Sequence, residues 1–321
     1  MFKTKITEMF GIEYPLIGGT MMWISKPEFV AAISNAGGLG VLASAIYQSK
    51  EEFSEAMDRL IGLTDKPYAV NLNLFPMMRP IDNNEYLDVL LDKGVKIVET
   101  SGHSAPEDLI GRFKEAGLTW IHKCVGLRYA QKVQEMGADA VTVVGYENGG
   151  ATGKLDIGTL VLVPTVAAGL RIPVIGGGGV SDGRGVVAVL ALGAHGVIIG
   201  TRLLATREAP IHENLKKALV NATELDTMLV MRSIGATHRV WTNAAAKKVA
   251  EMESDQASLP EILSVATGKK ALKMYEEGDV DLGLISCGQG VGLVRDIPTV
   301  KELFDEIMHQ AREVATGLAA G

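Results

Sequence analysis

The sequence predicts an α/β fold, a (β/α)8 TIM barrel with a helical insertion covering the barrel mouth. Three observations predict it. A phrase in which glycine closes a helix-like segment and a short β-branched run follows recurs five times in the 321 residues. Three further apolar runs complete a series of eight strands alternating with helical patterns, the signature of a closed parallel sheet. Glycine clusters follow the seventh and eighth strands, whereas a doubly wound open sheet would carry its phosphate loop after the first.

The elements follow in order. The first strand is the run Tyr14–Gly19, and apolar spacing predicts a helix over Pro27–Ala36. The phrase NAGGLGVLAS (35–44) then ends that helix on glycine and opens the second strand, because a left-handed residue stops a helix and the apolar run reads as a strand buried on both faces. A helix over Glu51–Ile61 leads to the third strand, Lys66–Phe75, with Pro67 at its entrance. Helix Asn84–Leu91 precedes DKGVKIVETSG (92–102), and helix Pro106–Ala116 precedes EAGLTWIHKCV (115–125). Helix Arg128–Met136 leads into EMGADAVTVVGY (135–146), the sixth strand. Helix Thr159–Ala168 leads into Arg171–Gly176, entered through Pro173, and helix Gly185–Leu192 into ALGAHGVIIGT (191–201), the eighth.

After Arg207 the pattern turns to helical segments, with Met228–Ser233 and Thr237–Thr242 between them. Residues 207–280 read as the insertion, and the tail from Asp281, with the amphipathic helix Thr299–Gly317, returns to the barrel. The expected barrel domain is therefore 1–206 with 281–321.

A net charge of −7 without a Lys/Arg cluster argues against nucleic acid or an anionic membrane as partner. A small-molecule substrate fits better, and a homodimer is compatible with the sequence. There is no secretory leader and no apolar run of about 20 residues, so a soluble, cytoplasmic protein is expected. Two distant cysteines, Cys124 and Cys287, make no disulfide framework and suit a reducing compartment. No metal site is expected.

Barrel enzymes build their sites at the C-terminal strand ends, commonly with a phosphate on the loops after strands 7 and 8. Gly176–Gly179 and the pair Gly200-Thr201 stand there and can aim backbone N–H groups at an anion, with a helix starting near Ser181-Asp182 adding its positive end. Polar residues fall at other strand ends: Thr20 to Trp23, Asn71 and Asn73, Ser101 and His103, and Glu147 to Lys154. Lys123, inside the apolar run WIHKCV, is costly to bury without an anionic partner and is the leading ligand-contact candidate. His122 alternates to the opposite face and reads as structural. Met21, Met22, Met77 and Met78 would line the mouth, as a substrate wall or as core filling. Cys287 reads as a packing cysteine.

The stretches YPLIGGTMMWIS, NAGGLGVLAS, YAVNLNLFP, VETSGHSAPE, IHKC, GYENGGATGKLDI, PVIGGGGVSDGRGV, GVIIGTRLLATREAP and ISCGQGVGLV run in order over nearly the whole chain. Together they resemble the FMN-dependent 2-nitropropane dioxygenase-like family, which includes nitronate monooxygenases, NADH:quinone reductases and enoyl-ACP reductase II. LFPMMRPIDNNEY and LATREAPIH look most like the quinone reductase branch. The resemblance implies FMN at the barrel mouth. Gly19, Thr20 and Met21 would lie along the ring, Asn71 and Lys123 would hydrogen-bond the flavin, Gly150 would belong to the cofactor loop, Gly178, Gly179, Gly200 and Thr201 would hold the phosphate, and Gln289 would sit near the ring. A lysine there would stabilise the anionic reduced flavin.

One departure shifts the expected chemistry. Where family members commonly carry a catalytic histidine, in a phrase like GGHxG, this chain reads Gly149-Gly150-Ala151-Thr152-Gly153. Alanine cannot exchange a proton, so abstraction from a neutral nitroalkane has no obvious base, whereas hydride from NADH or NADPH needs none in the flavin half-reaction. His103, Tyr146 and Gln289 are the remaining catalytic candidates, against the reading of His103 as part of a helix-entry sequence. The expectation is an FMN enzyme using NAD(P)H to reduce a quinone or a conjugated acceptor such as an enoyl thioester. Nitronate oxidation with O2 is the alternative, and a non-catalytic flavin-binding barrel the third.

Overall fold

The structure is a computed structural model and describes residues 2–75 and 81–320. Met77 and Met78 lie outside the described residues. The chain forms two compact units: Met1–Val143, Leu162–Gly176 and Ala188–Ile198 make the first, and Val144–Val161, Gly177–Val187 and Ile199–Gly321 the second.

The first unit is built on eight parallel strands: β1 (Leu16–Gly18), β2 (Gly40–Ala43), β3 (Tyr68–Asn73), β4 (Ile97–Ser101), β5 (Thr119–Cys124), β6 (Ala140–Val144), β8 (Val174–Gly177) and β9 (Gly196–Ile199). A two-residue strand, β7 (Gly150–Ala151), lies between β6 and β8 in the chain and belongs to another sheet. The order β1-β9-β8-β6-β5-β4-β3-β2 runs around a nearly closed barrel, and a bridge between Ile17 and Leu39 joins its two ends. All eight expected strands form, each shorter than its sequence phrase.

Register fixes which side chains share a face. Asn71 pairs with Glu99, Glu99 with Ile121, and Lys123 with Thr142. Period-2 alternation therefore turns Asn71, Glu99 and Lys123 to one side. Thr100, Trp120 and His122 take the other side, where Trp120 meets Phe113 of the helix Ile110–Glu115 at a ring separation of 6.0 Å. That side faces the helices, so the Glu99 side is the barrel interior. Fully buried Phe29, Phe53, Phe113 and Trp120 fill the helix–sheet layer.

Helices fall close to their expected spans, with one exception: Pro106–Ala116 is helical only over Ile110–Glu115. The N-cap is Leu109, without a side-chain cap bond, so the helix entry lies well past His103.

In the second unit, 207–280 is not wholly helical. β10 (Thr227–Val230) and β11 (His238–Trp241) form an antiparallel hairpin, and β7 adds to β11. The Glu253 carboxylate holds the turn, accepting from Met231 N at 2.7 Å and Ser233 N at 2.8 Å. Val230, Met231, Val240, Ala246, Val249 and Ile262 pack into one cluster that joins the hairpin to helices Ala244–Ser254 and Leu259–Val265.

Candidate active site

The second unit contains the glycine-rich loops. Gly178 and Gly179 have φ of +104° and +76°, a region that side chains rarely enter. A Cβ on Gly178 would stand 2.7 Å from both Gly145 N and Thr159 Oγ1, so the bare backbone is required by close approach as well as by conformation. Thr159 anchors the turn: its hydroxyl lies 2.9 Å from Gly178 O and 2.9 Å from the Glu147 carboxylate, which also accepts from Thr159 N. Gly200 is different, since a Cβ there would meet nothing within 4 Å. Thr201 Oγ1 accepts from Gly288 N at 2.9 Å, and Ser181 Oγ donates to Gly290 O at 2.8 Å, tying both loops to the tail.

The amides of Gly178, Gly179, Gly200 and Thr201 donate to no acceptor among the described residues. All four residues are half-buried, so these N–H groups are open to solvent or to an anion. The leading amides of the helix that follows, Gly183–Ala191, are not free to bind an anion: Asp182 Oδ1 accepts from Arg184 N and Gly185 N, and Gln310 Oε1 accepts from Gly183 N at 2.7 Å.

In the first unit the interior-facing polar residues converge on a group the sequence reading missed. Glu99, 1% exposed, receives Thr20 Oγ1 at 2.5 Å and Asn71 Nδ2 at 2.6 Å on Oε2, and Lys123 Nζ lies 3.4 Å from the same oxygen. This is an anionic partner of the kind expected for a lysine inside that apolar run, and it leaves the Lys123 side chain 27% exposed. Asn71 is fixed further by Ser101 Oγ at 3.2 Å and through its carbonyl by Ser44 Oγ at 2.7 Å. Thr142, opposite Lys123 in register, has a buried Oγ1 with no partner among the described residues. The signal for Glu99 was parity: VETS puts Glu99 in step with Asn71 once the register is known.

His122 is structural, as expected. Its Nδ1 lies 2.7 Å from Thr100 Oγ1, which also accepts from Trp120 Nε1, and burial lowers its pKa to about 4. Gly19 and Met21 lie in the loop after β1, where Met21 O accepts from Ile24 N and Ser25 N and Trp23 adopts a φ of +67°. His103 is exposed and meets the Phe75 ring edge-on at 4.9 Å. Tyr146 lies under the Arg239 guanidinium, 4.5 Å from ring centre to Cζ, and its carbonyl accepts from Arg239 Nε. Gln289 N donates to Glu147 O at 2.9 Å. Gly150 has a φ of +82° and pairs with Arg239; Ala151 is exposed and pairs with His238. Cys287 is fully buried, its thiol pushed up to about 12 by desolvation, as is that of Cys124.

No helix among the described residues is long and apolar enough to cross a membrane. The nitronate monooxygenase family model matches residues 3–310. A relative from Rhodococcus jostii (strain RHA1), named (3aS,4S,5R,7aS)-5-hydroxy-7a-methyl-1-oxo-octahydro-1H-indene-4-carboxyl-CoA dehydrogenase, is 32% identical over 99% of this chain and 98% of its own length. The structure of FabK from Thermotoga maritima superposes with a TM-score of 0.91 at 32% identity, covering 100% of this chain and 99% of that one. Nitroalkane oxidase from Streptomyces ansochromogenes gives 0.83 at 26% identity, covering 98% and 99%. An eight-stranded parallel barrel, glycine-lined loops after β8 and β9, and agreement with these proteins from end to end lead to one assignment: the chain is an oxidoreductase belonging to the nitronate monooxygenase family.

Proposed function

We propose that the protein is an FMN-dependent oxidoreductase that takes hydride from NAD(P)H and passes it to a conjugated acceptor, an enoyl thioester or a quinone. The observation that carries this reading is the set of unpaired amides at Gly178, Gly179, Gly200 and Thr201. A phosphate monoester fits them: the donors are there, Gly200 leaves open space for close approach, and no carboxylate takes their place. Bound there, FMN would supply the carrier that accepts a hydride from the nicotinamide and passes it on. In this reading Lys123 offers hydrogen-bond donors and Asn71 its side-chain carbonyl to the polar edge of the ring, the Asn71 Nδ2 protons being held by Glu99 and Ser101, and Thr201 positions the tail through Gly288. The name of the Rhodococcus relative, a carboxyl-CoA dehydrogenase, supports a CoA thioester over a quinone as the organic substrate, there in the direction of dehydrogenation.

Ala151 supports a reductase over a base-dependent oxidase. Its side chain can neither take nor give a proton, and hydride transfer from a reduced nicotinamide asks for no base at that position. The test is anaerobic mixing of the FMN-loaded protein with NADH or NADPH, followed by crotonyl-CoA or menadione. Bleaching of the flavin and its recovery by an acceptor is the expected result; absence of bleaching with either nicotinamide refutes the reading. The family model itself favours a second reading, nitronate oxidation. Oxygen uptake with propyl nitronate, unaffected by NADH, would select it.

A further inference from the structure

Three side chains that the flavin reading assigns to the ring, Thr20, Asn71 and Lys123, all meet a single oxygen of Glu99, whose side chain is 2% exposed against 27% for Lys123. One buried carboxylate thus holds one cation and two neutral donors. We propose that Glu99 is a positioning residue that sets the net charge beside the ring: its carboxylate offsets Lys123 and so limits how strongly the site favours the reduced cofactor. The inference rests on the flavin reading above and adds a residue to it.

The argument is electrostatic. Two-electron reduction with uptake of one proton leaves a negative charge on the ring, and a cation nearby stabilises that state while an anion opposes it. A lone lysine would favour the reduced form strongly. Pairing it with a carboxylate at 3.4 Å brings the local charge near zero without removing the lysine's donors. Glu99 also locks the geometry, because Asn71 Nδ2 is shared between Glu99 and Ser101 and has little freedom to turn away.

The test is a charge cycle on the FMN-loaded protein, read as midpoint potential and as the ratio of affinities for oxidised and reduced FMN. Glu99→Gln keeps the shape and removes the charge; reduced FMN should bind at least about tenfold more tightly relative to oxidised, a rise of about 30 mV for a two-electron couple. Lys123→Met should move the ratio about tenfold the other way. The double variant, with both charges gone, should return within about threefold of wild type. A potential unmoved by Glu99→Gln, or singles that shift in the same direction, overturns the proposal. Should Glu99→Gln not fold, comparison of Lys123→Met with the double variant decides it: the double must lie higher by the same tenfold. Urea unfolding of the four apoproteins gives an independent readout, in which the two single losses must exceed the double. Failure of the wild type to bind FMN would refute the flavin reading and with it the redox role of Glu99, whereas FMN binding with an unmoved potential overturns the Glu99 proposal alone.

Discussion

Gly200→Ala separates binding from folding more cleanly than any other single change. Gly200 has φ −120° and ψ −75°, outside the left-handed region, and an added Cβ would meet nothing within 4 Å. The apoprotein should therefore unfold within about 0.5 kcal/mol of wild type, the usual range for substitutions that touch nothing. If FMN is held as proposed, the same methyl group would crowd the approach of its phosphate to the amides of Gly200 and Thr201. Losing one charge-assisted hydrogen bond costs about 1.5–3 kcal/mol, so FMN affinity should fall about ten- to hundredfold. Gly178→Ala is the contrasting control: left-handed strain and contacts of 2.7 Å should cost the apoprotein about 2–6 kcal/mol before any ligand is added. The assays are urea denaturation of apoprotein and FMN titration by fluorescence quenching. A Gly200→Ala protein that folds normally and binds FMN as tightly as wild type would refute the assignment of these loops to a phosphate.

Further predictions concern His122, Thr201 and the cysteines. Burial holds the His122 pKa near 4, so the folded protein keeps it neutral while the unfolded chain binds a proton below about 6.5; stability from this group is complete above 6.5 and is lost on acidification toward 4, at about 1.4 kcal/mol per pH unit. Between pH 7 and pH 5 wild type should lose about 2 kcal/mol more than His122→Gln in urea unfolding, and equal losses would refute the assignment. Thr201→Val removes the acceptor for Gly288 N and should cost about 1–3 kcal/mol of apoprotein stability, with weaker FMN retention. Both thiols, buried and pushed up to about 12, should react with a thiol reagent only on unfolding; fast reaction of the native protein would show that Cys287 is not sealed.

The barrel was legible because five of the eight strands announce themselves twice, by a glycine closing the helix before them and by an apolar run, and the other three by an apolar run alone. The hairpin β10–β11 was not: Met228–Ser233 and Thr237–Thr242 are short segments with no Asn-Gly type turn between them, and β7 is a glycine and an alanine without side chains to show a period. Lys123 could be picked out as needing an anion, yet Glu99 could not be matched to it, because parity on two strands becomes a contact only when their register is known. The capping of the helix end near Ser181-Asp182 was hidden for a related reason: Asp182 is a cap as readily as a bystander, and Gln310, far along the chain, takes the adjacent amide. Glycines at 178 and 179 were readable because positive φ is a local demand.

Strand β7 carries one more consequence. It is joined to β11 through main-chain groups, and its two residues contribute a hydrogen and a methyl group as side chains. The sheet thus asks nothing of the residue at 151. Chemistry can be added or deleted at that position while the scaffold stays indifferent, and a histidine installed there by Ala151→His would be a change of reagent rather than a change of architecture.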